Sequence, residues 1–137
     1  MNDPLKSVGL AAQSGMRAQA QRLKIVAENM ANTDSTATVA GGDPYRRKVV
    51  TFEAMVDRAT GAEMVKIGQV TTDNAPFSLM HDPGHPAADA DGNVKRANVD
   101  PIIEMANMRE ASRSYEANLN MVETGRRMRS QLLDMLG

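Results

Sequence analysis

Cysteine is absent from the chain, which excludes disulfides and thiolate metal sites and leaves the redox compartment open. Tryptophan is absent too, and the aromatics reduce to Tyr45, Phe52, Phe77 and Tyr115. The large side chains that usually dominate core burial are therefore nearly missing. No charge of one sign prevails: 16 Lys and Arg stand against 17 Asp and Glu, a formal net charge of −1. The whole chain thus has no field to draw in nucleic acid or an anionic membrane surface. No stretch approaches the roughly 18 uninterrupted apolar residues of a membrane span. The segment Met1-Asn2-Asp3-Pro4-Leu5-Lys6-Ser7 lacks the basic start and apolar run of a secretory signal. Export without a cleaved signal peptide, by a dedicated route, is the expectation if the protein leaves the cytoplasm.

What is present lies mostly at the two ends. The length of 137 residues suits about one domain of the usual ~100–200 residues. Its apolar content is Ala, Val, Leu, Ile and 11 Met. Asp3-Pro4 opens an apolar-periodic segment to about Ala31, and Asp100-Pro101 opens a second running to about Leu136. In each, Asp can cap a helix start, and Pro in the first turn gives up only an N–H that would lack a partner. In the first segment, Leu5, Val8, Ala12, Met16, Ala20, Leu23, Ala27 and Met30 recur at steps of three or four, the narrow stripe of a coiled-coil seam. In the second, two seams are legible. One is Met105, Met108, Tyr115, Leu119, Val122, Leu133 and Leu136; the other is Met121, Gly125, Met128, Leu132 and Met135. One narrow partner helix does not cover both, so burial against other chains is expected. Ala106, Ala111, Ser112, Ala117 and Gly125 allow close backbone approach, and unbranched Met adapts to unequal surroundings.

Residues 33–98 hold most of the Gly and Pro, with β-like runs at 48–52 and 63–70. Thr60-Gly61, Asp73-Asn74 and Asp91-Gly92 supply turn chemistry, the last as a hairpin signal. Thr33 to Asp43, with Gly41-Gly42, reads as a mobile loop. The expected fold is mainly α with a small β middle. Long N- and C-terminal helices pack as an antiparallel coiled-coil-like pair, with an irregular antiparallel β element between them. The segments are 1–32 for the first helix, 33–98 for the middle and 99–137 for the last helix.

Three places invite a chemical reading, and each has a plainer one. His81 and His85 have the separation of two zinc ligands on a helix, but Pro83, Gly84 and Pro86 forbid that helix and favour a turn. Asp89-Ala90-Asp91-Gly92 matches part of a calcium-binding loop, yet aligning Gly92 with its glycine puts Ala87 and Asn98 where the first and last carboxylates belong. Arg46-Arg47-Lys48 could meet an acidic polymer, but a solvated strand edge or a subunit salt bridge is the simpler expectation. Arg126, Arg127 and Arg129 complement the negative end of a helix dipole. No nucleophile elbow, phosphate-cradling glycine loop or carboxylate pair stands out. No enzyme activity, cofactor or metal is expected. A soluble helical adaptor or export chaperone binding one partner through these seams remains the alternative, and a metal-dependent enzyme would need His81 and His85.

Ser14-Gly15-Met16-Arg17-Ala18-Gln19, Arg22-Leu23, Glu28-Asn29-Met30-Ala31-Asn32 and Ser35-Thr36 together resemble the N-terminal signature of the bacterial flagellar rod and hook family. Asn98-Val99-Asp100-Pro101-Ile102-Ile103-Glu104-Met105, then Arg109-Glu110-Ala111 and Ser114-Tyr115-Glu116-Ala117-Asn118, resemble its C-terminal signature. Gly42-Asp43-Pro44-Tyr45-Arg46-Arg47-Lys48 and the run from Asp82 to Ala90 are similar to its proximal-rod members. The chain departs from the family at Ala37-Thr38, where a Thr-x-Gly element is usual, and at Asn93, where relatives tend to carry Tyr.

The resemblance implies a structural subunit of the basal-body rod, crossing the periplasm. Both terminal helices would lie in an inner tube around the export channel, with the middle as a small outer domain. Partners would be copies of the chain, other proximal and distal rod proteins and the flagellar type III export apparatus, with no nucleic acid and no membrane insertion. The function would be torque transmission and motility without catalysis. The expected assembly contacts are Leu5, Met16, Leu23, Val26, Met30, Met105, Tyr115, Leu119, Val122 and Leu132. Before assembly the helices have too little partner surface to offset their ordering entropy, so the free monomer is expected to leave them largely disordered.

Overall fold

A computed structural model describes residues 3–137. The element order is α1 (Pro4–Ala31), β1 (Lys48–Val56), β2 (Glu63–Thr72), β3 (Ser78–His81), β4 (Asn93–Arg96) and α2 (Pro101–Leu136). Both helices begin as the Asp-Pro pairs require. The Leu5 N–H donates to Asp3 Oδ1 at 3.0 Å and the Ile102 N–H to Asp100 Oδ1 at 2.9 Å, while Pro4 and Pro101 occupy first positions that need no donor. The last carbonyls of α1 are taken by side chains: Asn32 Nδ2 donates to the Glu28 carbonyl and Thr33 Oγ1 to that of Met30.

β1 and β2 form one two-stranded sheet, β3 and β4 another. The Asp57 N–H donates to the Ala62 carbonyl and the Asp73 N–H to the Arg47 carbonyl, opposed pairings that run the first two strands antiparallel. Their turn is built by the Asp57 carboxylate, which accepts from the Thr60 N–H and hydroxyl, and by Gly61 at a φ of 73°. β3 and β4 pair antiparallel, Ser78 against Arg96 through His81 against Asn93. The sequence reading missed this pair, whose strands have only 4 residues each. Asp91-Gly92 does mark a hairpin, but at the end of a long connection, 82–92. There Gly92 takes a φ of 80° and Asp89 Oδ1 accepts from the Asp91 and Asn93 N–H groups.

The loop expected to be mobile is tethered: the Gly41 N–H donates to the Ala87 carbonyl, the Ala97 N–H to that of Ser35, and Asp34 pairs with Arg96.

The chain divides into two compact units, and each element except β3 and β4 contributes to both. Unit 1 takes α1 up to Leu23, Val50–Gln69 and Arg109–Gly137; unit 2 takes Lys24–Val49 and Val70–Met108. Within unit 1 the helices lie antiparallel, Gly15 beside Asn118 and Arg22 ion-paired to Glu110 at 3.3 Å. Buried there are Ala12, Ser14, Ala18, Ala62, Ala111 and Val122. Unit 2 buries Val26, Ala87, Val94, Ala97 and Val99, together with Asn29 and Glu104.

Candidate assembly interface

The groups that hold unit 2 in place are polar. Glu104, in the first turn of α2, is fully buried and hydrogen-bonds Arg47 Nε. Asn29 Nδ2 donates to the Lys48 carbonyl at 2.8 Å and lies 3.5 Å from Glu104 Oε2, while its Oδ1 accepts from the Lys48 N–H and the Tyr45 hydroxyl. Arg47 Nη1 also meets Asp73 at 3.2 Å, and the Arg47 N–H donates to Asn98 Oδ1. Asn98 Nδ2 and Arg46 Nη1 both donate to the carbonyls of Asp73 and Ala75. Each member of this cluster satisfies another, the condition under which buried polar groups fix one arrangement instead of merely costing desolvation.

The titration behaviour follows from that packing. Burial, and then the charges of Glu28 and Glu104, push the Tyr45 hydroxyl up to about 12. For Arg47, burial opposes the charge, but the hydrogen bonds and charges of Glu104 and Asp73 outweigh it and hold the guanidinium more firmly protonated than usual. Asp73 is held below its ordinary value, first by the Ala75 N–H and then, against burial, by Arg47 and Arg46. The basic triplet is therefore not the freely solvated edge expected from sequence. Arg47 closes a buried pair, Lys48 bridges to Glu28 at 2.6 Å, and Arg46 stacks 4.2 Å from the Phe77 ring centroid. Glu104 and Asn29 were missed as organisers. The available signal was a carboxylate at position 104 in the series 104, 108, 111, 115, 118, 122, where heptad spacing calls for apolar side chains.

In unit 1 Gly15 lies beside Asn118 and Arg22 pairs with Glu110, and apart from Val122 the fully buried side chains there are small. Ser14 leaves α1 toward the β1–β2 pair, its Oγ accepting from the Val65 N–H at 3.1 Å.

Against this background the ten expected contact residues separate. Val26 and Val122 are buried within their own units. Leu5, Met16, Leu23, Met30, Tyr115 and Leu119 are half-buried. Met105 and Leu132 are exposed, and on the same helix so are Ile102, Ile103, Met121, Met128, Leu133, Met135 and Leu136. A single helix thus carries nine large apolar side chains open to solvent.

His81 lies on β3 with Nδ1 3.4 Å from Asn93 Oδ1, and His85 Nδ1 accepts from the Ala87 N–H. Among the described residues no three His, Cys, Asp or Glu side chains gather as a metal site, and no helix is long and apolar enough to cross a membrane.

Comparison with known proteins agrees with this geometry. Residues 10–37 match the family model described as flagella basal body rod protein, and residues 90–135 match that of the flagellar basal body rod FlgEFG protein C-terminal region. The chain is 47% identical to the flagellar basal-body rod protein FlgC of Agrobacterium fabrum, over 98% of this chain and 96% of the relative. Identity to that of Salmonella typhimurium is 44%, over 90% and 92%, and to that of Bacillus subtilis 34%, over 89% and 91%.

Proposed function

The chain belongs to the FlgC family of flagellar basal-body rod proteins, and from that premise we propose that it builds the proximal rod as a non-catalytic subunit, transmitting motor torque and enclosing the export channel. It is a structural protein of the flagellar basal body that assembles with other rod components. The soluble adaptor or chaperone alternative gains no support from relatives that match nearly the whole chain.

The observation that carries the mechanical reading is the set of nine exposed large apolar side chains on α2. Met105, Met121, Met128 and Leu132 are each about half exposed, so a neighbour that covers one fully adds roughly half of the 1.5–3 kcal/mol that complete burial of such a side chain gives. Repeated without closure, such contacts generate a helical shaft. In this arrangement residues 1–32, of which 1 and 2 lie outside the described residues, and 99–137 form the inner tube and 33–98 the outer domain. The ten contact residues meet copies of the chain and other proximal and distal rod proteins, after passage through the export apparatus without signal cleavage.

Electron microscopy of basal bodies from a strain lacking the chain tests this, alongside swimming of the complemented strain. Membrane rings without a completed rod, with swimming restored by the wild-type chain, are expected. Intact rods and normal swimming in the deletion strain contradict the proposal. Complementation with Leu119→Asp is expected to abolish swimming, because assembly would bury an unpaired charge at a half-buried seam position.

A further inference from the structure

Unit 1 leaves a knob and a hole unfilled. Its helices run antiparallel with Gly15 beside Asn118 and Arg22 beside Glu110. Because both helices rise equally per residue, that register brings Pro4, the start of α1, opposite about position 129 of α2. α2 continues to Leu136. The overhang keeps the seam spacing, with Val122, Arg129, Leu132 and Leu136 on one stripe. Val122 is buried, whereas Leu132 and Leu136 are 49% and 85% exposed.

The hole is a groove of about 650 Å³ in the same unit, floored by the small residues Gly15 and Ala117 and walled by Met55 of β1. Its volume is that of sites that enclose roughly drug-sized groups, about 300–1,000 Å³. Glu63 is its one charged lining residue, beside the neutral polar Gln19, Ser114 and Asn118 and the apolar Ala54, Met55, Val56, Met64 and Val65. The groove thus favours an occupant that presents apolar side chains together with a cation. The end of α2 offers that chemistry: the cleft beside it is lined by Lys6, Arg126 and Arg129 with no acidic residue. A chain cannot fill its own groove. Leu132 lies 14 residues beyond Asn118 on one continuous helix, roughly 21 Å along its axis.

We propose that the last two turns of α2 dock into the groove of a second copy, Leu132 and Leu136 against its apolar wall and Arg129 against Glu63. The contact is head-to-tail, so each copy offers one knob and one hole and the series does not close on itself. The inference rests on the rod function proposed above, which supplies the setting in which copies stand side by side.

The native chain has no cysteine, so engineered pairs report cleanly. Leu132→Cys and Met55→Cys in one chain, oxidised in isolated basal bodies of a swimming strain, are expected to give disulfide-linked multimers that neither single variant gives. Basal bodies that contain the chain but no such species overturn the contact, and so does a crosslink to a different rod protein. Absence of the chain from basal bodies overturns the rod function and the contact together. If the double-cysteine strain does not swim, a charge exchange decides: Arg129→Glu and Glu63→Arg should each reduce the swimming rate several-fold, and their combination should restore it. Failure of the combination to restore swimming overturns the contact.

Discussion

Unit 2 buries a carboxylate, an amide and five apolar side chains, whereas unit 1 buries four alanines, a serine and one valine, although the same two helices run through both. The polar cluster around Glu104 specifies geometry. Asn29, Arg47 and Asn98 accept only one set of partners, so the helix ends and the start of β1 have one arrangement. Alanine seams specify proximity but little energy, because the area removed from water is small and stabilisation scales with it at about 25 cal/mol per Å². The lesson is a division of labour: one unit is fixed by its own polar contacts, and the assembly proposed above would leave the other for neighbours to complete.

The largest expected effect comes from breaking the first half of that contrast. Glu104→Ala should cost unit 2 about 3–5 kcal/mol, because it strips the partly buried Arg47 of its main partner. Denaturant unfolding of the purified chain measures the loss. Replacing Glu104 and Arg47 together by Met should recover much of it. If the single variant costs under 1 kcal/mol, the cluster is not what fixes unit 2. The second half is probed by Ala111→Leu, which overfills a position with no exposed surface in the unit 1 seam and should cost about 1–3 kcal/mol. The effect should be seen in rod assembly, with the unfolding of unit 2 unchanged.

The smallest effect is a titration. Tyr45 is protonated more strongly in the fold, up to about 12, than at its ordinary 10.0. The folded state therefore holds the proton that the unfolded state releases first. Its contribution is complete below pH 10 and is lost as the pH rises toward 12. Tyr45→Phe should flatten that part of the stability–pH curve. An unchanged curve would remove Tyr45 from the cluster.

Much of this was legible in the sequence. Both Asp-Pro helix starts, the end of α1 near Ala31 and the two longer strands follow from capping residues and patterning, signals local to a few residues. β3 and β4 were not, because strands as short as Ser78–His81 and Asn93–Arg96 are defined by their pairing and not by any periodicity of their own. The stripe read along α1 was also offset: Ala20 and Ala27 are exposed, while Gly15 and Asn29 are buried. Hydrophobic periodicity counts apolar side chains, and this chain places glycine and polar groups where its helices come closest. The role of Arg47 depended on Glu104, 57 residues away in sequence, a partnership that no local pattern encodes.

Hydrogen exchange, compared between dilute monomer and isolated rods, tests the division of labour most directly. The amides of 24–49 and 70–108 should be protected in both states. Those of 4–23 and 109–136 should be protected in rods and exchange rapidly in the monomer, where no neighbour covers their apolar residues. Strong protection of 4–23 and 109–136 in the monomer would contradict the account.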